Sequence, residues 1–321
     1  MSLPRFGERT FTLMTANLEH DGGPDENGAP PPRWIEAHEA VFAPFKPDVL
    51  FRQEATYSHF HGWRRLHTAE SVLGMRGFLS APRVSRNATA LFIRPDVLDV
   101  LEHHEHRDPW RAPPTNVVAR LQGAENPLTL MSWHCGFPTP SGRVREAEEI
   151  LAVADKTKKG WGFVGAGDCN EYPVPVGESV PLIDWASPDI TDRVHMMQRT
   201  TEGPDGSRVS CTSVDRLLLS AGLHDPARYA AHYLGQPGAL AATAGHAPSA
   251  KGQGGPRRID RLYLDPWLVQ AVLEVFPVDM TGVSDHHAVV AVLSYSKAVE
   301  ALARSFEPLA PVELTPTGGA R

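Results

Sequence analysis

Short apolar runs recur along this chain, and most are closed by a polar residue or by Gly and Pro. Phe11 to Ala16, Val49 to Phe51, Ala90 to Ile93, Val117 to Leu121, Leu128 to Trp133, Trp161 to Val164, Ile259 to Leu264 and Ala288 to Leu293 follow this pattern. Runs this short, bounded by turn residues, predict β-strands. Helical spacing lies between some of them. Arg33 to Phe45 predicts an amphipathic helix ended near Pro47, and Gly142 to Lys159 a second, with Lys in its last turn and Gly160 as its stop. Ala90 to Arg94 and Val97 to Glu102, separated by Pro95-Asp96, predict an antiparallel hairpin, which argues against a uniformly parallel sheet.

No internal repeat and no linker divides the chain. This predicts one α/β domain over residues 1–297 and a partly flexible C-terminal helix or tail over residues 298–321. Glu307 to Arg321, rich in Pro and Gly, predicts a loose tail. Gln236 to Pro256 is rich in Gly, Ala and Pro, and with Lys251, Arg257 and Arg258 it predicts a mobile basic loop.

Composition changes this picture only at its edges. The 321 residues, 41% hydrophobic and 21% charged, are those of an ordinary soluble chain with material for a sizeable core. A net charge of -7 argues against coating nucleic acid through a broad basic surface, and leaves room for a local basic groove. Cys135, Cys169 and Cys211 are an odd number without a CxxC pair, so neither a disulfide framework nor a zinc cage is implied. The first residues carry no apolar leader, and no segment approaches the roughly 20 apolar residues of a membrane span. A cytoplasmic protein without a membrane span or an obligate protein partner is the expectation.

The distinctive polar residues sit at strand ends. Asn17, Glu54, His134 and the Asp168/Asn170 pair follow apolar runs, whereas Asp260 and Asp285-His286 stand at strand entrances. Antiparallel pairing would bring all six groups to one edge. Each has a plain structural reading when taken singly: Glu54 as a solvated strand-end charge, Gly167-Asp168-Cys169-Asn170 as a turn, Asn17 as a loop residue, His134 as a satisfied histidine. Their order and common placement carry the chemical expectation.

That chemistry is phosphodiester hydrolysis. The substrate is an anion that repels hydroxide, so a divalent ion is commonly recruited to polarise a phosphoryl oxygen. Glu54 and Asp285 are hard oxygen donors suited to Mg²⁺ or Mn²⁺, and Asn17 adds a neutral oxygen. Asp168 and Asn170, two residues apart, point the same way if extended. Asp168 is the candidate for the attacking water and Asn170 for a phosphoryl oxygen. His286 and His134 are candidates for acid, base or donor, with Asp260 behind His286. Arg143, Arg145, Lys251, Arg257 and Arg258 are candidate backbone contacts, and Trp133 or Trp63 a candidate stacking surface. His103-His104-Glu105-His106 is no metal site, because neighbours on a strand alternate faces. Cys135 and Cys169 read as packing residues.

With these motifs the chain resembles the endonuclease/exonuclease/phosphatase superfamily, of deoxyribonuclease-I-like fold, from Thr12 to about Leu293. The resemblance rests on Thr15-Ala16-Asn17, Gln53-Glu54, Gly167-Asp168-Cys169-Asn170, Arg258-Ile259-Asp260 and Ser284-Asp285-His286. It implies a four-layered α/β sandwich, two mixed sheets packed face to face with helices outside. It also implies Glu54 as principal metal ligand, Asp285 as a second, Asn17 near metal and phosphate, and Asp168 with Asn170 at nucleophile and phosphate. His286 would pair with Asp260. His134 is similar to the deoxyribonuclease and sphingomyelinase branches rather than to the exonuclease III branch, which carries tyrosine there. Two departures stand out: Cys169 replaces an aromatic, and Asn87 stands where a glutamate backs the first histidine, able to hold His134 by a hydrogen bond but not by charge. The resulting expectation is a metal-dependent phosphodiesterase, with a nuclease acting on DNA first and a lipid or small-molecule phosphoesterase second. A non-catalytic binding module on the same fold is the third.

Overall fold

The computed structural model describes residues 6–305 and 307–314. The strands are β1 (Thr10–Asn17), β2 (Val49–Gln53), β3 (Arg76–Leu79), β4 (Ala90–Ile93), β5 (Leu98–Glu105), β6 (Thr115–Leu121), β7 (Leu128–His134) and β8 (Gly162–Asp168). A small ribbon of β9 (Thr200–Glu202) and β10 (Arg208–Ser210) precedes β11 (Asp260–Leu264), β12 (Val272–Val278) and β13 (Ala288–Ser294). The helices are α1 (Pro32–Glu36), α2 (Arg64–Leu73), α3 (Pro140–Ala154), α4 (Arg193–Arg199), α5 (Ser213–Ser220), α6 (Pro226–Tyr233) and α7 (Tyr295–Ala301).

Two mixed sheets result. The first runs β12-β13-β1-β2-β4-β3 and the second β11-β8-β7-β6-β5. Each has one parallel pair, β1 with β2 and β7 with β8, among antiparallel neighbours. Strand side chains alternate faces, and here both faces are buried, which is why the strands read as continuous apolar runs. Phe11, Leu13, Val49, Phe51 and Leu91 of the first sheet meet Val117, Leu130, Val164 and Leu262 of the second in a shared central core. On the outer face of the first sheet, Met14, Leu50 and Phe92 pack against Trp34 of α1 and Leu66 of α2. On the outer face of the second, Met131, Phe163 and Tyr263 pack against Ile150 of α3 and Leu218 of α5. The architecture is therefore a four-layered α/β sandwich, helices outside two mixed sheets packed face to face. Burying each such Leu or Phe contributes about 2 kcal/mol.

Several expectations need correction. Ala90 to Arg94 and Val97 to Glu102 form no hairpin: β4 pairs with β2 and β3, whereas β5 pairs with β6 in the other sheet. The Pro95-Asp96 turn is closed by Val97 N donating to Arg94 O at 3.1 Å, and it passes the chain across the core between sheets. The segment Arg33 to Phe45 is helical throughout but changes pitch, with a π turn over Ala37–Phe42 and a 3₁₀ turn over Ala43–Phe45. α3 begins before Gly142, capped by Thr139, and continues as a 3₁₀ turn to Lys159, where Gly160 closes it at φ +83°.

The stretch Gln236 to Pro256 is packed rather than loose. It holds 3₁₀ turns at Pro237–Leu240 and Pro248–Gln253, buries Leu240, Thr243 and Ala244, and bridges Ala244 to Arg257 and to His286. The boundary between residues 297 and 298 falls inside α7, whose Ala298 is buried in the central core. Residues 307–314 are docked: Leu309 packs on the α3/α5 layer and Val312 N donates to Leu219 O at 2.9 Å. The expected loose segment beyond it, residues 315–321, lies outside the described residues. Among the described residues no helix is long and apolar enough to cross a membrane.

Candidate active site

Topology brings the strand ends together. Asn17 pairs in register with Gln53, so Glu54 emerges beside it. In the second sheet Asp168 pairs with both His134 and Asp260. Asn17 Nδ2 then donates to Asp168 Oδ2 at 3.3 Å, joining the two sheets at one pole of the sandwich. Ser284 fastens the entrance of β13 there, donating to Asn17 O at 2.8 Å and accepting from Glu19 N at 3.1 Å. The glycine before Asp168 is dictated by packing: a Cβ on Gly167 would fall 1.9 Å from Trp133 O of the neighbouring strand. Glu54 and Asn170 both adopt left-handed backbone, φ +58° and +51°, which for a glutamate is strain held at a site.

His286 lies between two carboxylates. Its Nδ1 is 2.8 Å from Asp260 Oδ2 and its Nε2 is 4.0 Å from Asp168 Oδ2. Thr243 Oγ1 donates to the same Asp260 oxygen at 2.7 Å, which fixes the carboxylate. Burial works against an imidazolium here, but Asp260, Asp168 and Asp285 outweigh it and raise His286 to about 10. Asp168 Oδ1 accepts from Asn170 N at 2.7 Å. Burial opposes its charge, yet His286, His134 and that N–H hold its carboxyl below the ordinary carboxylate range. His134 Nε2 lies 3.5 Å from Asp168 Oδ2. Its Nδ1 is buried without a partner, because Asn87 Oδ1 accepts instead from Thr56 Oγ1 at 2.9 Å. The expected Asn87 to His134 hydrogen bond is thus absent.

Donor atoms of Asp168, Asp260 and His286 fall within 4.8 Å of one another. They form a carboxylate–imidazole–carboxylate array in which Asp260 Oδ2 is taken by Thr243 and His286, while Asp260 Oδ1 is buried with no partner among the described residues. The oxygens that fit a cation lie beside them. Asn17 Oδ1 is buried with no hydrogen-bond partner among the described residues, which is costly. Glu54 turns Oε2 to His20 N at 2.8 Å, and its Oε1 makes no hydrogen bond among the described residues. The half-exposed Asp285 has its carboxyl raised by burial and by the neighbouring Glu19, Glu54 and Asp260 charges, against the pull of His286. Crowded hard oxygens of this kind suit Mg²⁺ or Mn²⁺.

The basic residues divide differently from expectation. Arg143 is fully buried, its guanidinium donating to Glu171 and to the carbonyls of Gly136, Phe137 and Gln198, so it is no phosphate contact. Arg258 is likewise buried, between Glu178 and Asp225. Arg145 is exposed on α3, and the half-buried Arg257 donates to Gln253 Oε1 and Gly255 O. Trp133 is core and cannot stack a base, whereas Trp63 is 51% exposed. Cys135, Cys169 and Cys211 are free and buried, and burial pushes the Cys169 thiol up to about 12. Sequence patterning passed over Thr243 and Arg199. Thr243 lies in a loop and Arg199 ends α4 directly before the short β9, and neither stands beside one of the apolar runs. Arg199 donates to Asn170 Oδ1.

No curated protein matches the sequence. Among solved structures, an AP endonuclease from Archaeoglobus fulgidus superposes with a TM-score of 0.57 at 16% identity, covering 88% of this chain and 99% of that one. The 3'-5' exonuclease NExo from Neisseria meningitidis gives 0.57 at 17% identity over 88% and 98%. Humanized D. rerio TDP2 gives 0.54 at 14% identity, also over 88% and 98%. These likenesses show the shared fold. The model of the endonuclease/exonuclease/phosphatase family matches residues 14–286, spanning Asn17 to His286, and the chain belongs to that family.

Proposed function

We propose that this chain is a divalent-cation-dependent phosphodiesterase, with Mg²⁺ or Mn²⁺ held by Glu54, Asp285 and Asn17 and with DNA as its substrate. The observation that carries the proposal is the cross-sheet junction: Asp168 bonds Asn17 of the first sheet at 3.3 Å and faces His286 Nε2 at 4.0 Å, next to Asn17 Oδ1 and Glu54 Oε1. When bound, the cation supplies neutralisation of charge on a phosphoryl oxygen.

The chain's own groups do the rest. Asp168, kept ionised, accepts the proton of the attacking water. His286 acts as a donor, because as an imidazolium it gives Nδ1–H to Asp260 and turns Nε2–H toward a phosphoryl oxygen. Asn170 donates its amide to another phosphoryl oxygen, and His134 lies beside Asp168, its Nε2 3.5 Å from Asp168 Oδ2. Arg145, Lys251 and Arg257 are the candidate basic residues left to meet a DNA backbone. D. rerio TDP2 and Neisseria NExo, of the same fold, have been solved with DNA products, which supports that substrate class. Three free cysteines support a reducing, cytoplasmic setting.

One observation favours a second substrate class. The burial of Arg143 and Arg258 removes two of the five basic residues expected along a DNA track, which suits a lipid or small-molecule phosphoester. A screen of plasmid DNA, sphingomyelin, inositol phosphates and nucleotides, with Mg²⁺ and with EDTA, separates the readings. Hydrolysis of DNA that EDTA abolishes is the expected result. Turnover of none of these would overturn the assignment, and turnover confined to a small phosphoester would select the second class.

A further inference from the structure

Two buried arginines beside Asn170 and Phe137, Arg143 and Arg199, carry different charge balances. Arg143 pairs with Glu171, its Nε lying 3.2 Å from Glu171 Oε2. Arg199, 8% exposed, makes no ion pair with a carboxylate of the described residues, and its Nε is buried without a partner. Asp168 acts on it only from beyond contact distance, and a buried guanidinium without a contact ion pair is costly, so its position calls for a role. Both guanidiniums converge on one carbonyl: Phe137 O accepts from Arg143 Nη1 at 3.2 Å and from Arg199 Nη1 at 2.8 Å. Arg143 Nη2 also donates to Gln198 O at 2.9 Å, which anchors the last turn of α4 immediately before Arg199. Cys211 N donates to Arg199 O at 2.9 Å and Tyr172 N to Cys211 O at 3.1 Å, tying Arg199 to the loop that follows Asn170.

The other Arg199 nitrogen, Nη2, donates to Asn170 Oδ1, while Asn170 Nδ2 donates to Cys135 O at 2.8 Å. A carboxamide can flip by half a turn, exchanging donor for acceptor. With its oxygen taken by a guanidinium and one N–H by a carbonyl, Asn170 has a single allowed orientation, and its second N–H remains for a ligand. Flipped, the amide would set N–H against Arg199 and oxygen against Cys135 O, two repulsive contacts.

We infer that Arg199, seated by Arg143, is a positioning residue that locks the Asn170 amide so that a donor faces the scissile phosphate. The inference rests on the proposed phosphodiesterase activity, which it deepens. Arg199 acts through Asn170 and touches no substrate atom. Arginine is required rather than lysine, because two acceptors, Phe137 O and Asn170 Oδ1, must be met from one planar fork.

The test combines kinetics with a readout that does not need turnover. On bis(p-nitrophenyl) phosphate with Mn²⁺, Arg199→Met should lower kcat by about 10-fold to 100-fold, the usual cost of a misplaced reacting group, with KM changed by less than about 3-fold. Arg199→Lys should recover part of the loss. In an Asn170→Ala background, Arg199→Met should cost less than about 3-fold, because the group it orients is gone. In the ¹⁵N-labelled protein, the two Asn170 Nδ2 protons, assigned by their disappearance in Asn170→Ala, should give separate, slowly exchanging signals that broaden or shift in Arg199→Met. Equal losses in both backgrounds, or an Asn170 amide spectrum indifferent to Arg199, would overturn the positioning role. Should wild type hydrolyse no phosphoester, the functional reading falls, and the amide spectrum still decides whether Arg199 locks Asn170.

Discussion

Asp260 Oδ2 lies 2.8 Å from His286 Nδ1, across a gap of 26 residues in sequence and at a carboxylate that is 1% exposed. This contact fixes which imidazole nitrogen faces Asp168 and supplies the charge that keeps the ring protonated. Asp260→Asn preserves the shape and the contact with Thr243 but removes the charge. It should lower phosphodiester turnover by about 10-fold to 100-fold, while Thr243→Val, which removes only the hydroxyl, should cost less. Steady-state kinetics of the two variants checks the order; a larger loss in Thr243→Val would contradict it.

Glu54 and His286 have separable tasks. Glu54→Ala should weaken Mn²⁺ binding, measured by calorimetry, by about 10-fold or more, since a hard anionic donor is lost. His286→Ala should leave that affinity within about 3-fold, because the role proposed for His286 is toward substrate rather than cation. Equal loss of Mn²⁺ affinity in both would move His286 into the ligand set.

The arginines fall into two classes with opposite readouts. Arg258→Ala strands Asp225 in the interior, while Glu178 keeps Arg228, and should cost about 3 kcal/mol of stability, seen as a lowered urea midpoint. Arg145→Ala should shift stability by no more than about 0.5 kcal/mol. It should instead flatten the salt dependence of DNA binding, by about one unit of slope in a log–log plot. Salt-independent binding by wild type would remove Arg145 from the substrate track.

His195 sets an acid limit on stability. Burial first, then the neighbouring Arg199 and Arg257 guanidiniums, push its pKa from 6.5 down to about 3. Between those values the unfolded chain binds a proton that the native state refuses. Stability is therefore undiminished above pH 6.5 and falls as the pH drops toward 3. The slope is about 1 kcal/mol per pH unit. His195→Gln removes the titrating group and should flatten this slope in urea denaturation at pH 7.5, 5.5 and 4.5. Parallel losses in wild type and variant would refute the assignment.

Sequence reading reached the strand-end residues because each interrupts an apolar run, a local signal. Asn17, Glu54, His134, Asp168, Asp260 and His286 were all visible in this way, and register then brought them to one pole. Partners distant in sequence were not visible. Arg143 and Arg258 look like phosphate contacts until Glu171, Glu178 and Asp225 are found against them. Nor does a Pro95-Asp96 turn say whether the next strand stays in its sheet, because turn chemistry sets a reversal and the distribution of apolar faces sets the partner. Arg199, at the end of the short helix α4, and Thr243, in a loop, bond Asn170 and Asp260 from far away in sequence, where the apolar runs give no sign of them.

The most direct test is nicking of supercoiled plasmid DNA in Mg²⁺ by wild type, Glu54→Ala and His286→Ala, each confirmed folded by its thermal melt. The account predicts cleavage by wild type that EDTA stops, and none by either variant. Unchanged cleavage by Glu54→Ala or His286→Ala would contradict it.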